Sequence, residues 1–429
     1  MSEVTTVRRN VLTIVVMATA VAMLGWGFSS SRQSAPVAAM KPHGGAALGA
    51  AVPAQGPILT TDRSGDVTAI DADSGKVLHK AQSGVLSPTG NLIYAQQGRT
   101  VTVTKRVAGR PFARVRAPRD MELEVASTSG RLLAFATPPT NSGSEWRPDG
   151  RSRSRITVVG TGERSRTRTY DLKGNFVVEA FSTDDRQLFL LEYLPAKNPW
   201  HYELRRLELA GGEIRPIARD KQNAPGEMNG TGRLALSAPS GQELYTLYTQ
   251  QGFNYTHVDP QNAKPSEVYA FVHLLNLGGA WTHCVDLPAP FGTGSATAHA
   301  MAVSDDGTRL FVADPSSGGL AVIEPQAKRV LKSVTTDLRS LRAGVSADVS
   351  VNGDLYLTGK DRVLVFDGET LQLQRSMRPG SGLSGIATSA DGSKLYLGKA
   401  NRILEVDAGT GQRLRTISIP GARGLSVLP

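Results

Sequence analysis

The stretch SADGSKLYLGKANRILEVDAGTGQRLRTI, Ser389 to Ile417, holds a polar turn, a Leu followed by an aromatic residue, and then a series of β-prone runs. The same phrase recurs along the chain, most clearly as SDDGTRLFVAD (Ser304 to Asp314) and SVNGDLYLTG (Ser350 to Gly359). Self-similarity at a period of about 40 to 50 residues, with several short strands per unit, marks a β-propeller, because one four-stranded blade cannot bury both its faces alone. Inner hairpin turns fall near Gly90, Gly130, Asp185, Gly241, Gly307, Gly353 and Gly392. Gly, Asp and Asn at such turns supply the positive φ that tight hairpins need.

Outer strands come after each turn: RPFARVRAP, RSRTRTYDL, GEIRPIARD, AWTHCVDLP, KRVLKSV, LQLQRSM and QRLRTISIP. A further unit is split between the ends. Ile58 to Ala81 has the second, third and outer strands but lacks an inner one, while Gly424 to Pro429 (GLSVLP) aligns with the inner strand GLSGIATS, Gly382 to Ser389. The expected fold is all-β, a propeller of eight four-stranded blades closed by the C-terminal strand joining the N-terminal blade, with one N-terminal transmembrane helix before it. Seven blades is the alternative if two weaker middle units are misassigned.

Of 429 residues 40% are hydrophobic and 20% charged, enough to bury a core and too apolar for disorder; 45 Gly and 24 Pro suit many turns better than long helices. The sole cysteine, Cys284, excludes an intramolecular disulfide and reads as a small buried hydrophobe.

Asn10 to Ser31 contains no charged residue, and Val11 to Phe28 (VLTIVVMATAVAMLGWGF) is apolar enough to cross a bilayer as a helix. Arg8 and Arg9 precede it, so the positive-inside rule keeps residues 1–9 in the cytoplasm and exports the chain beyond Ser31. The expected organisation is a signal anchor over 10–31, a flexible Ala/Gly/Pro/Ser-rich tether over 32–55, and a propeller over 56–429. A cleaved signal peptide is the competing reading, with Val37-Ala38-Ala39 as cleavage site and Arg8-Arg9 loosely like a twin-arginine signal. Either way the propeller is extracytoplasmic, and the Ala-, Gly- and Arg-rich composition suits a bacterial, high-GC source.

Blades such as Ser389 to Ile417 resemble the YVTN-type (lactonase-like) propeller repeat, and GDVTAIDADSGKVLHK, Gly65 to Lys80, resembles the third and outer strands of a PQQ-type quinoprotein repeat. The likeness is good over 56–82 and 298–429 and weak between 120 and 290. It implies a propeller more firmly than an activity, since such repeats serve enzymes, assembly factors and binding modules alike. In the PQQ-type repeat a Trp commonly closes the outer strand; His79 stands there, so no quinone cofactor is expected.

Second-to-third strand connections and blade-to-blade connections open on one face of a propeller. They are long in three consecutive middle blades, Thr137 to Arg153, Leu194 to Tyr202 and Thr249 to Glu267, and the connections Asp220 to Gly232 and Pro288 to His299 join them. This insert face gathers Trp146, Trp200, His201, Tyr202, Phe253, Tyr255 and His257, a candidate binding site. The plainer alternative has these aromatics packed down onto the blade rims. Arg151, Arg153 and Arg155, then Arg164, Arg166 and Arg168, alternate at strand period across one hairpin and make a candidate polyanion site, guanidinium pairing with phosphate as a bidentate fork. A solvated edge that resists sheet pairing is the alternative.

Other motifs lack context. Gly380, Gly382 and Gly385 fit G-x-G-x-x-G but lead into a strand; Asp71, Asp73 and Gly75 start like a calcium loop without its distal Glu; His283 and Cys284 point to opposite faces of a strand; His257, Asp259 and His299 make only a scattered zinc set. No metal, cofactor or nucleic-acid partner is expected, and no serine-elbow, zincin or Walker signature is present. The leading expectation is a membrane-tethered binding or scaffold module for a protein or an anionic cell-envelope polymer. A lactonase-like or quinoprotein-like enzyme with its site at the propeller axis is the alternative. If Gly424 to Pro429 completes the split blade, a chain ending at Ala422 should unfold or aggregate, and a normal thermal transition in that truncation would refute the pairing.

Overall fold

The computed structural model describes residues 58–419, apart from 62–65, 83, 107–110, 138–148, 163–165, 221–227, 229–231, 251–268, 293–297 and 342–343. The backbone forms eight sheets, each the blade of a propeller. Blades 1 to 8 cover residues 58–81, 84–116, 122–173, 175–216, 232–286, 300–335, 346–377 and 385–418. Eight blades is therefore the count, not seven. Blade 1 has three strands, Ile58–Thr61, Val67–Ile70 and Val77–Ala81, the second, third and outer positions expected of the split unit. Its proposed inner strand, Gly424 to Pro429, lies outside the described residues, as do the anchor over 10–31 and the tether. Among the described residues no helix is long and apolar enough to cross a membrane.

Burial depends on position in the blade. Middle strands such as Leu310–Asp314 and Leu355–Gly359 are buried at every residue because both sheet faces are covered by neighbouring blades. Outer strands such as Arg329–Thr335 are exposed at most positions. All seven expected inner turns carry positive φ, Asp185 included at 62°. A serine staples several of them. Ser304 Oγ donates to Asp306 Oδ1 at 2.6 Å and accepts from the Arg309 N–H at 3.0 Å; Ser389 repeats this with Asp391 and Lys394. The Ser389 hydroxyl, joined by the Ser393 N–H and hydroxyl, holds the Asp391 carboxyl down at about 2. The outer turns use aspartate instead: Oδ1 of Asp71, Asp367 and Asp407 accepts the N–H of Ser74, Thr370 and Thr410. The calcium-like triplet is thus a turn clasp.

One outer segment departs from the simple repeat. GEIRPIARD pairs with its own blade through Ile214–Pro216, then Ala218–Arg219 joins blade 5 in parallel beside Trp281 and Thr282. Pro216, with no N–H to continue a ladder, sits close to the switch.

Adjacent blades are joined by apolar faces and by an arginine clamp. Arg168 of blade 3 donates to the carbonyls of Leu209 and Ala210 in the outer turn of blade 4, and Arg375 of blade 7 donates to the Ala408 carbonyl of blade 8 at 3.2 Å. Arg415 of blade 8 makes the same contact with the Ala72 and Asp73 carbonyls of blade 1. Ile417 and Ile419 pack there with Ile58, Ile70 and Ala72, so the first and last sheets are neighbours. Arg415 also pairs with buried Glu405, Nε to Oε2 2.8 Å. Replacing Arg415 by Leu should lower stability by about 3 kcal/mol, since Glu405 stays buried and loses half its compensation. Chemical denaturation checks this, and an unchanged midpoint would reduce the clamp to surface decoration.

Candidate functional site

The long connections rise from blades 3 to 5, and their described roots are laced together by backbone hydrogen bonds. The Arg151 N–H donates to the Ala196 carbonyl at 2.9 Å, tying blade 3 to the Leu194–Trp200 loop of blade 4. Gly150 allows this approach, because a Cβ there would lie 1.8 Å from the Lys197 oxygen. Tyr202 exchanges two backbone hydrogen bonds with Met228, and the Gln250 N–H reaches the Gly292 carbonyl at 2.9 Å. These links place a hydrogen-bonded rim along blades 3 to 5 on one side of the ring.

Arg151 organises that rim from within. Its Nε donates to Asn175 Oδ1 at 3.0 Å, Nη1 to the Thr137 carbonyl at 3.3 Å, and Nη2 to the Phe176 carbonyl. Burial draws the guanidinium below its ordinary value, with Glu124 and Tyr193 opposing. Asn175 in turn donates Nδ2 to the Asp149 carbonyl at 3.1 Å. The sequence hinted at neither role, since apart from the Arg151–Asn175 bond itself their partners are backbone carbonyls of other segments.

The other sequence-nominated residues separate. Trp200 is 44% exposed, and its ring rests on that of His201 at 4.0 Å between centroids. His201 is itself buried. Tyr202 is not a surface group: it is buried at the seam of blades 4 and 5, in a row running Tyr193, Tyr202, Tyr248 and Phe271 with centroid spacings of 5.5, 5.6 and 5.4 Å. Cys284 packs in this same cluster as a buried hydrophobe. His273, edge-on to Tyr248, is held neutral, burial first and then Arg219 and His283 lowering it to about 4. Trp146, Phe253, Tyr255 and His257 lie outside the described residues.

The arginines do not make one ladder. Arg153 and Arg155 stand opposite Lys173 and Asp171, whereas Arg168 stands opposite Val158, so the two sets project from opposite sheet faces. Arg155 pairs with Asp171 at 2.8 Å, Arg168 is the clamp to blade 4, and Arg151 is committed to the rim. Arg153 and Arg166 are exposed, and Arg164 lies outside the described residues.

Two further ionisable sites sit deeper. His299 Nε2 lies 3.2 Å from Asp314 Oδ2, both side chains fully buried, while His257 and Asp259 lie outside the described residues. Burial alone would raise the Asp314 carboxyl, but His299, Ser316 and Ser317 together hold it well below the usual range. Among the described residues no group of three potential ligands can hold a metal. Asp348, on the inner strand Ser346–Val349, accepts the Thr388 N–H at 2.6 Å and its hydroxyl at 2.9 Å, across the seam of blades 7 and 8. Burial outweighs these bonds, with Asp305 adding repulsion, and the carboxyl is pushed up to about 7.

Blade count, blade order and one-sided rim define an eight-bladed β-propeller. No protein-family model matches the sequence, and no curated protein matches it. Among solved structures the chain is similar to the dihydro-heme d1 dehydrogenase NirN in complex with DHE, at 16% identity over 86% of this chain and 74% of that one, TM-score 0.50. Apo AztD from Citrobacter koseri is similar at 12% identity over 87% and 96%, TM-score 0.51. The Pseudomonas aeruginosa periplasmic gluconolactonase PpgL aligns at 15% identity over 87% and 99%, TM-score 0.41. At such identities the likeness is one of fold.

Asp348 gives a pH signature. An unfolded aspartate ionises near pH 4, while folded Asp348 keeps its proton to about 7, so its contribution to stability falls as pH rises across that window and is level above it. His273 works oppositely, favouring the fold above its ordinary value of 6.5 and losing that contribution toward pH 4. Asp348→Asn should therefore gain stability relative to the unaltered protein as pH rises from 5 to 8. Parallel melting curves for the two proteins across that range would contradict the assignment.

Proposed function

We propose that the protein is a membrane-tethered, extracytoplasmic binding module whose insert face captures a protein or an anionic cell-envelope polymer. The observation that carries this reading is Trp200: a large aromatic ring left 44% exposed on a hydrogen-bonded rim, backed by the buried His201 ring. Rigid, half-exposed aromatics are the side chains that most often anchor binding interfaces. In this reading residues 10–31 anchor the chain, 32–55 tether it, and Gly424 to Pro429 supplies the inner strand of blade 1. The exposed Arg153 and Arg166 are the members of the arginine set offered to a polyanion.

A second reading, an enzyme with its site toward the axis, is favoured by acidic groups on inner strands: Glu124, Glu179 and Asp348 belong to three different blades. Lactone hydrolysis by the purified protein, lost in Asp348→Asn, would place it first.

The binding reading is tested with a photo-crosslinking amino acid at position 200 or 351 in intact cells. Val351, also exposed, lies on an inner turn and opens on the other face. An adduct formed from 200 and not from 351 is expected. Equal yields, or none from 200, would remove the insert face as the capture site.

A further inference from the structure

The half of the ring away from the insertions has a chemistry of its own. Blades 8, 1 and 2 are consecutive, since blade 1 packs its core against blade 8 on one side and blade 2 on the other. Their outer strands, Arg413–Ser418, Val77–Ala81 and Pro111–Arg116, carry Arg413, Arg415, Lys80, Arg114 and Arg116 and no Asp or Glu. Lys76 and Lys105 flank them, as do the turn carboxylates Asp71, Asp73 and Asp407, and Lys105 Nζ lies 5.8 Å from the centroid of the Phe112 ring. The same strands expose large apolar groups: Leu414 at 51%, Val77 at 47%, Leu78 at 38% and Phe112 at 55%. The outer strands of blades 6 and 7 expose one leucine each, Leu331 at 37% and Leu373 at 52%, so the density of apolar groups is greatest at blades 8, 1 and 2; those of blades 3, 4 and 5 expose no large hydrophobic among the described residues, and those of blades 3 and 5 include Asp171 and Asp286.

Two of the basic groups are committed. Arg415 serves Glu405 and the blade 1 carbonyls, and Lys80 pairs with Asp66 at 3.4 Å. Arg413, Arg114 and Arg116 are exposed and make no ion pair to a described carboxylate. Charge alone would suit an edge guarded against strand pairing. Bulky apolar side chains interleaved with it defeat that purpose, and together the two match an anionic lipid surface, where apolar groups enter the headgroup layer and Lys or Arg face the phosphates.

We propose that the outer rim of blades 8, 1 and 2 docks edge-on against an anionic bilayer. This rests on the membrane-tether reading for its geometry. The chain leaves the apolar run at Phe28 and enters the ring at Ile58 in blade 1, the centre of this rim. A flexible coil with the length of the tether spans roughly 30 Å, which keeps the ring within reach of the surface without fixing its orientation. The rim supplies the orientation and leaves the insert face unobstructed at the side.

The test uses the full chain with vesicles of phosphatidylcholine, alone or mixed with phosphatidylglycerol, containing spin-labelled lipid as quencher. A fluorophore is placed on Leu414→Cys or Val351→Cys; buried Cys284 serves as the unlabelled background, checked in the unaltered chain. Emission at 414 should be quenched with phosphatidylglycerol present, emission at 351 should not, and quenching at 414 should fade with added salt. Changing Arg114, Arg116 and Arg413 together to Gln should weaken the rim's association on the order of a hundredfold. No quenching at 414 in either vesicle overturns the proposal, as does a disulfide-linked dimer through Cys at 414 without quenching, which would assign the rim to a second copy. Flotation with phosphatidylcholine alone reads the anchor separately: a chain that floats but is unquenched keeps the tether and loses the rim, and one that is quenched without floating does the reverse.

Discussion

Burial of each blade's apolar faces against its neighbours is the constraint on which the ring depends, and at three seams it is joined by an arginine on an outer strand that reaches the turn carbonyls of the next blade. Every blade has two apolar faces and can bury neither unaided, so the free energy of the fold resides in seams. Apolar faces are not particular about angle. The clamps made by Arg168, Arg375 and Arg415 are, because a guanidinium must meet carbonyl lone pairs in direction as well as distance. Arg415 meets blade 1 as Arg375 meets blade 8.

Much of this was legible in the residues. The seven inner turns were found because only a few side chains tolerate positive φ, and the three described strands of blade 1 because Ile58 to Ala81 reads as second, third and outer runs. What escaped depended on register across strands. Arg155 and Arg168 look like one ladder until Asp171 is seen opposite the first and Val158 opposite the second, which reverses the face. Tyr202 looks like part of a loop until its pairing with Tyr193 sets it in a seam. Arg151 was nominated for a polyanion site, and its commitment to Asn175 and to backbone carbonyls is one that no local pattern announces.

The ring is asymmetric in what it offers solvent. Blades 3 to 5 carry the insertions, an aromatic seam and mixed charge at the outer edge. Blades 8, 1 and 2 carry short turns, basic outer strands and exposed Leu414, Leu78 and Phe112. Repetition built eight similar units; it left the outward faces free to diverge, because an outer strand meets solvent and few neighbours.

The seam between blade 8 and blade 1 also governs when folding can finish. Arg415 and Ala72 are separated by almost the whole ring in sequence, so their contact cannot form until the last blade has been synthesised and, in a chain that is exported, translocated. Until then blade 1 waits with an uncovered apolar face, and the early blades form an open arc with two adhesive ends. Such an arc can close on its own end or on the end of a neighbouring chain.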